Sequence, residues 1–382
     1  MHNGEQLFRN EPVTAVQPGV APARYAEVAT VDVGTGPHLH LGYVKESGHV
    51  WVSDTGGDTI TVLDHIDGHV IDRWRIGGGA AHFSFDAGCT IGLVALRTAD
   101  QAAIINPQTR EIIDRVALPQ GSAPTGTMPA FDRGLVYTLN EGNATVTAVE
   151  IASGQVVSTI DVGGLPKWGQ PWGASYKPIT QPVGKTYVVS TESDDATVFD
   201  DATNQVIRRI PLGHRPNRNA IFREHGNIYF SNEADDTVTV VRIADDEILA
   251  TVPVNHRPFR MLPIAAINGR DEMWVLGAGD RETGAGTVAA VSGTDHVVTR
   301  TVDVVDAPGN WVVSPQKRLF IVGSKSRQLL VYDFVTDAPI GLTELGHDPA
   351  PGAISGLINT AAGSLFILND DNTVTVLRDR NA

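Results

Sequence analysis

Apolar and polar residues alternate in short runs along almost the whole of this chain, and no helical period runs between them. The runs come in fours. The first follows a Gly- or Pro-punctuated lead-in, the second is centred on a large residue, the third often reads Thr-Val-Thr-Val, and the fourth is rich in Val and Ile. Such runs, bounded by Gly, Asn and Asp turns, predict β-strands. The large residues of the second runs are Trp51, Val94, Tyr137, Tyr187, Tyr229, Trp274, Phe320 and Phe366, spaced 42 to 50 residues apart. Third runs stand at 59–62, 145–147, 237–240, 329–331 and 373–376. Fourth runs stand at 70–76, 111–118, 155–162, 205–212, 247–254 and 297–304.

Four strands repeated at this spacing predict an all-β fold, a β-propeller of eight four-stranded blades. A sandwich or a β-helix leaves the period unexplained. The last unit, from Asp348 to about Leu377, supplies only three strands, while YAEVATVDV at 25–33 matches a fourth run and has no unit of its own. The two ends are therefore expected to meet: the N-terminal strand, about 25–34, joins the C-terminal blade, closes the ring and leaves no open sheet edge. Residues 25–382 then form one domain, and 1–24, with Pro12, Pro18 and Pro22, read as an irregular arm. Extra residues near 177–184 (KPITQPVG) and 277–286 (GAGDRETGAG) read as longer surface loops.

Composition narrows the functional classes. The 382 residues are 42% apolar, enough for a large core. A net charge of -15 argues against nucleic acid or an anionic membrane surface as partner, since both need a basic face. The chain has no basic start followed by an apolar run and no stretch of 18 apolar residues, so a cytoplasmic protein is expected. The single Cys89 excludes an internal disulfide, and with no basic neighbour it reads as structural. Phosphate-loop, HExxH and serine-elbow motifs are absent, so no nucleotide or flavin cofactor is implied. Acidic pairs at Asp194-Asp195, Asp235-Asp236 and Asp370-Asp371 share one repeat position and read as solvated hairpin turns.

The recurring pattern of lead-in, strand, turn, large residue and T-V-T-V resembles the YVTN-type repeat of YncE-like β-propeller proteins. GHRPNRNAIFREHGNIYFSNEADDTVTVVRI at 213–243 and DAPGNWVVSPQKRLFIVGSKSRQLLVYDF at 306–334 carry it best, and it extends over 25–377. The resemblance implies the fold. For function it implies a range, from binding proteins to lactonase-like and lyase-like enzymes and metalloenzyme propellers. Many such relatives have seven blades and a signal peptide, and this chain shows neither.

One motif is written twice: His-Arg-Pro-x-Arg, at 214–218 and 256–260. In a propeller the lead-ins of all blades meet at one mouth of the central channel. Aligned on Pro37, Ala80, Pro124, Pro171, Pro216, Pro258, Pro308 and Pro349, they place unlike residues at matching positions, where a purely structural repeat would keep similar ones. Arg215, Arg218, Arg257 and Arg260, with Asn217, Asn219 and Asn310, suit an anion cradle, because guanidinium forks bind carboxylate or phosphate bidentately. Trp168, Trp172, Phe259 and Trp311 suit its flat walls. The plainer alternative pairs the arginines with blade carboxylates and packs the aromatics between blades.

Histidines are also uneven. His38 and His40 stand two apart on a first strand and His82 opens the next blade, a set that suits a divalent transition metal or general acid-base work. The alternative is hydrogen-bonded or solvated rings. His214, His256 and His347 end fourth strands and read as mouth residues or caps. Two functions follow. One is a lyase, cyclase or hydrolase acting on an anionic or aromatic small molecule, with arginines holding the anion and His38, His40 and His82 moving protons or binding metal. The other is a propeller that binds a ligand or protein partner without chemistry.

Overall fold

The structure, a computed structural model, describes residues 25–36, 40–171, 184–267, 270–279, 283–350 and 356–380; of 167–171, 266 and 267 it describes the backbone. It is an eight-bladed propeller. Eight four-stranded antiparallel sheets follow one another, each meander running outward from the axis. The first strands are Leu41–Val44, Ala80–Phe85, Pro124–Ala130, Pro166–Pro171, Pro216–Phe222, Pro258–Ile267, Pro308–Val313 and Leu357–Asn359, which we number as blades 1 to 8. They lie side by side around the axis.

Blade 8 takes its outer strand from the other end of the chain. Tyr25–Asp32 pairs antiparallel with Thr373–Asp379, from Tyr25 opposite Asp379 to Asp32 opposite Thr373. Tyr25 is buried and meets Phe320 of blade 7 edge to face at 5.2 Å. The arm at 1–24 and the insertion at 177–184 lie outside the described residues. The second insertion, as far as it is described, joins the second and third strands of blade 6.

Burial explains the pattern of runs. Middle strands such as His49–Asp54 and Thr59–Asp64 are buried on both faces between neighbouring blades, so they read as near-continuous apolar runs. Outer strands such as Val70–Arg75 bury neither side: two alternate residues, Asp72 and Trp74, are half-buried and the rest exposed. The Thr-x-Thr of third strands has a specific partner. Asn140, Asn232 and Asn369, each ending a second strand, donate Nδ2 to two threonines of the next strand: Thr145 and Thr147, Thr237 and Thr239, Thr373 and Thr375, all at 2.8–2.9 Å. Apolar strands around a buried amide leave it no other donor target. Asn232→Ala is expected to cost about 1–3 kcal/mol, read as a lower urea midpoint at unchanged m-value.

The large second-strand residues join blades. Tyr137 donates to Asn204 Oδ1 of blade 4 at 2.8 Å, Tyr187 to Asp246 of blade 5, and Tyr229 lies 3.4 Å from His296 Nδ1 of blade 6. Each target holds a positive φ in the turn between the third and fourth strands of the next blade. Ion pairs reinforce two of these contacts: Arg133 with Asp201 at 3.3 Å and Lys185 with Asp246 at 2.9 Å.

Candidate functional site

The duplicated motif divides by position. His214 Nδ1 lies 2.8 Å from Asp194 Oδ2, and the Arg215 amide donates to Asp194 Oδ1 at 2.8 Å. His256 and Arg257 repeat this on Asp236, at 2.9 and 2.7 Å. Arg215 and Arg257 take left-handed φ values of 52° and 54°, matched by Ala123 and Ala307 before Pro124 and Pro308. A carboxylate that holds both the His ring and the Arg amide secures this uncommon backbone. His347 caps Asp371 at 2.6 Å in the same way. These histidines are caps, and the acidic turns are their partners.

Past the proline the chain makes a bulge. Pro216 pairs with Asn232, and Arg218, two residues on, with the adjacent Ser231, leaving Asn217 extra; the same shift occurs at Pro124, Pro166, Pro258 and Pro308. Such bulges redirect a side chain at the rim of a sheet. The position after each bulge is Gly126, Trp168, Arg218, Arg260 and Asn310. His40 exchanges hydrogen bonds with Ser53 much as Arg218 does with Ser231, so His40 belongs to this level.

This corrects two alignments. Blade 4 begins at Pro166, not Pro171, because Pro166 faces Ser190 as Pro216 faces Asn232. Trp168, not a residue after Pro171, therefore stands opposite Val189 at the Arg218 level. In blade 1, alignment on Pro37 puts Leu39 two residues on, opposite Arg218, but it is His40 that stands at this level. His38 and Trp172 lie outside the described residues, as does the Trp168 side chain.

The four arginines separate. Arg215 is exposed at the rim, and Arg257 pairs with Glu233 at 3.2 Å, which also accepts from Asn217 at 3.0 Å. Arg218 and Arg260 are half-buried on first strands, at the inner edge of their blades. Burial lowers Arg218 to about 10; burial and then the charge of Arg218 lower Arg260 to about 9, so both remain cations at neutral pH. Arg260 Nη2 donates to Asn310 Oδ1, and Asn310 is 2% exposed. Asn219 is buried, with Nδ2 toward the Tyr187 carbonyl at 3.4 Å. Phe259 and Trp311 pack against the blade 6–7 core, as the packing alternative expects.

Two histidines face these arginines. The His40 and His82 rings lie 4.0 Å apart, tilted by 37°. Burial, then His82, and finally Arg260 hold His40 well below the usual imidazole range, against a hydrogen bond to the Phe83 backbone. Burial and Arg218 push His82 down to about 3. Both rings are neutral at physiological pH. Since Arg218 acts on His82 and on Arg260, and Arg260 on His40, the four groups form one cluster, although their blades are 1 and 2 on one arc and 5 and 6 on the opposite one. Sequence reasoning missed Thr127 and Ser84, whose hydroxyls lie 2.8 Å apart beside His82. Nothing in a Gly-Thr-Met-Pro stretch announces a histidine partner.

Among the described residues, the acidic and histidine groups with metal-ligand spacing are Asp64, Asp67 and His69, on an exposed turn. Asp64 there caps the amides of Ile66 and Asp67, and Asp67 binds His69 at 2.7 Å. No described helix is long and apolar enough to cross a membrane.

No protein-family model matches the chain, and neither does any curated protein sequence. Solved propellers do resemble it. BamB from Moraxella catarrhalis superposes with a TM-score of 0.65 at 10% identity, over 94% of this chain and 99% of that one. The dihydro-heme d1 dehydrogenase NirN, in complex with DHE, gives 0.66 at 13%, over 92% and 76%. Kuenenia stuttgartiensis hydrazine synthase gives 0.52 at 15%, over 79% and 96%. At these identities the likeness is one of fold, shared by enzymes and by BamB.

Proposed function

We propose that this propeller binds an anionic small molecule at one mouth of its channel and acts on it as a lyase, cyclase or hydrolase in the cytoplasm. The repeat kinship with YncE-like proteins belongs to the same proposal. Arg218 and Arg260 hold the anion, with Asn310 orienting Arg260, and His40 is the group that accepts a proton. The observation that carries the reading is a pair of imidazoles 4.0 Å apart, held neutral, with two half-buried guanidiniums close enough for their charge to act on them. Buried donors with fixed partners favour an oxyanion over water, because their reorganisation is already complete. His40 Nδ1 has no hydrogen-bond partner and is closed to solvent, an unsatisfied acceptor beside the cluster that a proton could reach only as the site opens to its ligand.

A screen of carboxylates and phosphate esters by thermal shift, followed by calorimetry and product analysis, tests this. His40→Gln is expected to retain binding and lose turnover by a factor of 100 or more, in the range of about 10²–10⁴ for a proton-transfer group. Unchanged turnover would leave the non-catalytic binding reading in its place. A second reading has its own support: the four groups come from opposite arcs of the ring, which suits a large ligand such as DHE, with which NirN is found in complex. Titrating the protein with such a compound and following its visible absorption separates this from a smaller anion.

A further inference from the structure

We propose that His82 is a neutral hydrogen-bond donor to a bound oxyanion, its Nδ1 held as an acceptor by Thr127 so that Nε2 carries the proton into the channel. This rests on the reading that the channel binds an anion. His82 Nδ1 lies 3.3 Å from the Thr127 amide, and an amide only donates. The Thr127 hydroxyl lies 2.9 Å from the same nitrogen and 2.8 Å from Ser84 Oγ. Ser84 can therefore donate to Thr127, and Thr127 to His82. A neutral ring that accepts at Nδ1 must carry its proton at Nε2. Nε2 has no partner among the described residues, and it is not among the side-chain atoms shut away from solvent. Thr127 is thus a positioning residue, and His82 a donor in line with Arg218 and Arg260.

The ligand class follows. Two guanidiniums and one imidazole N–H offer only donors, so the site takes an acceptor-only group, a carboxylate or phosphate. His82 takes no part in holding a cation there, because it has no free lone pair to give one. The two histidines then differ in kind: His40 keeps an unpartnered nitrogen, and His82 presents a proton. Environments that separate two like groups in this way assign them separate roles.

Long-range ¹H–¹⁵N correlation on ¹⁵N-histidine-labelled protein at pH 7.5 tests the tautomer before any ligand is added, with His82 assigned by its absence in His82→Gln. The expected spectrum has an unprotonated Nδ1 and a protonated Nε2. Separate titrations with inorganic phosphate and with succinate should then move the Nε2 resonance, and whichever saturates identifies the source of the oxyanion. His82→Phe should weaken that binding roughly 10-fold or more, as loss of a hydrogen bond to a charged group does. His82→Gln, which keeps an N–H, should weaken it less than 3-fold by the same measure. A ring protonated at Nδ1, a doubly protonated ring, or equal affinity in His82→Phe overturns this inference and leaves the anion reading intact. Failure of both anions to bind overturns the two together.

Discussion

Deleting residues 25–33 is expected to make the protein self-associate beyond its native state and to lower its melting temperature sharply. The strand is the fourth of blade 8, and its loss strips Thr373–Asp379 of every backbone partner on one side. An uncovered edge of that length recruits other strands, including those of a second copy. The loss also uncovers apolar cores. Tyr25 fills the blade 7–8 core and Val33 the blade 8–1 core, each worth about 1.5–3 kcal/mol when fully buried. Val33 donates its amide to Asn372, and Thr61 of blade 1 donates to the Val33 carbonyl at 3.1 Å, so the same strand joins blade 8 to blade 1. Light scattering and calorimetry of the deletion read both effects. The peptide YAEVATVDV added in trans should restore the size of the intact protein, since strand addition reuses the same ladder. Val28→Ser, on the exposed face, should stay within about 0.5 kcal/mol. A deletion that kept the size and melting temperature of the intact protein would mean that ring closure contributes little.

That closure was legible in the sequence because a surplus strand at one end and a missing one at the other fit a single arrangement. The eight blades were legible through Trp51, Tyr137 and their counterparts. Why those residues are large was not: the Tyr187 hydroxyl reaches Asp246, 59 residues on, in the next blade, and no local pattern encodes that distance. The threonine repeats were likewise visible while their buried asparagine partners were not.

The site was legible in its residue types and misaligned in its geometry. Pro166 and Pro171 both offered a start for blade 4, and the composition of PKWGQP does not choose between them. Spacing would have done so. Pro216, Pro258 and Pro308 each stand four residues after the end of the preceding fourth run, at Leu212, Val254 and Val304, and Pro166 stands four after Val162. Treating the four arginines as one group failed for a different reason. The bulge after each proline separates a rim residue from a wall residue three positions on, and only pairing registers reveal it. Arg257 then meets Glu233, and Arg260 meets Asn310.

Arg260→Met is expected to raise the melting temperature of the ligand-free protein and to abolish anion binding. Burial and Arg218 lower the Arg260 pKa, which means that the folded protein holds this charge less favourably than water does. Replacing such a charge by an apolar side chain of similar length is neutral or stabilising by about 1–4 kcal/mol. The same change removes one of two guanidiniums, and loss of a buried, hydrogen-bonded charge partner costs a ligand about 2–5 kcal/mol, on the order of 30- to 5,000-fold in affinity. Arg218→Met should behave alike. Their pH dependence follows from the direction of the shifts. A cation with a lowered pKa still binds an anion below that pKa and loses its charge as pH rises through it. Wild-type affinity for a carboxylate should therefore be flat from pH 7 to 8, where both arginines are charged, and should fall as pH passes about 9 and then about 10. Arg260→Lys keeps the charge and loses the fork, so a partial loss in that variant would show that geometry as well as charge holds the anion. Calorimetry across this pH range, with melting curves of each variant without ligand, reads both halves. A variant destabilised by several kcal/mol, with anion affinity retained, would assign Arg260 to the architecture of the channel wall and remove it from the binding site.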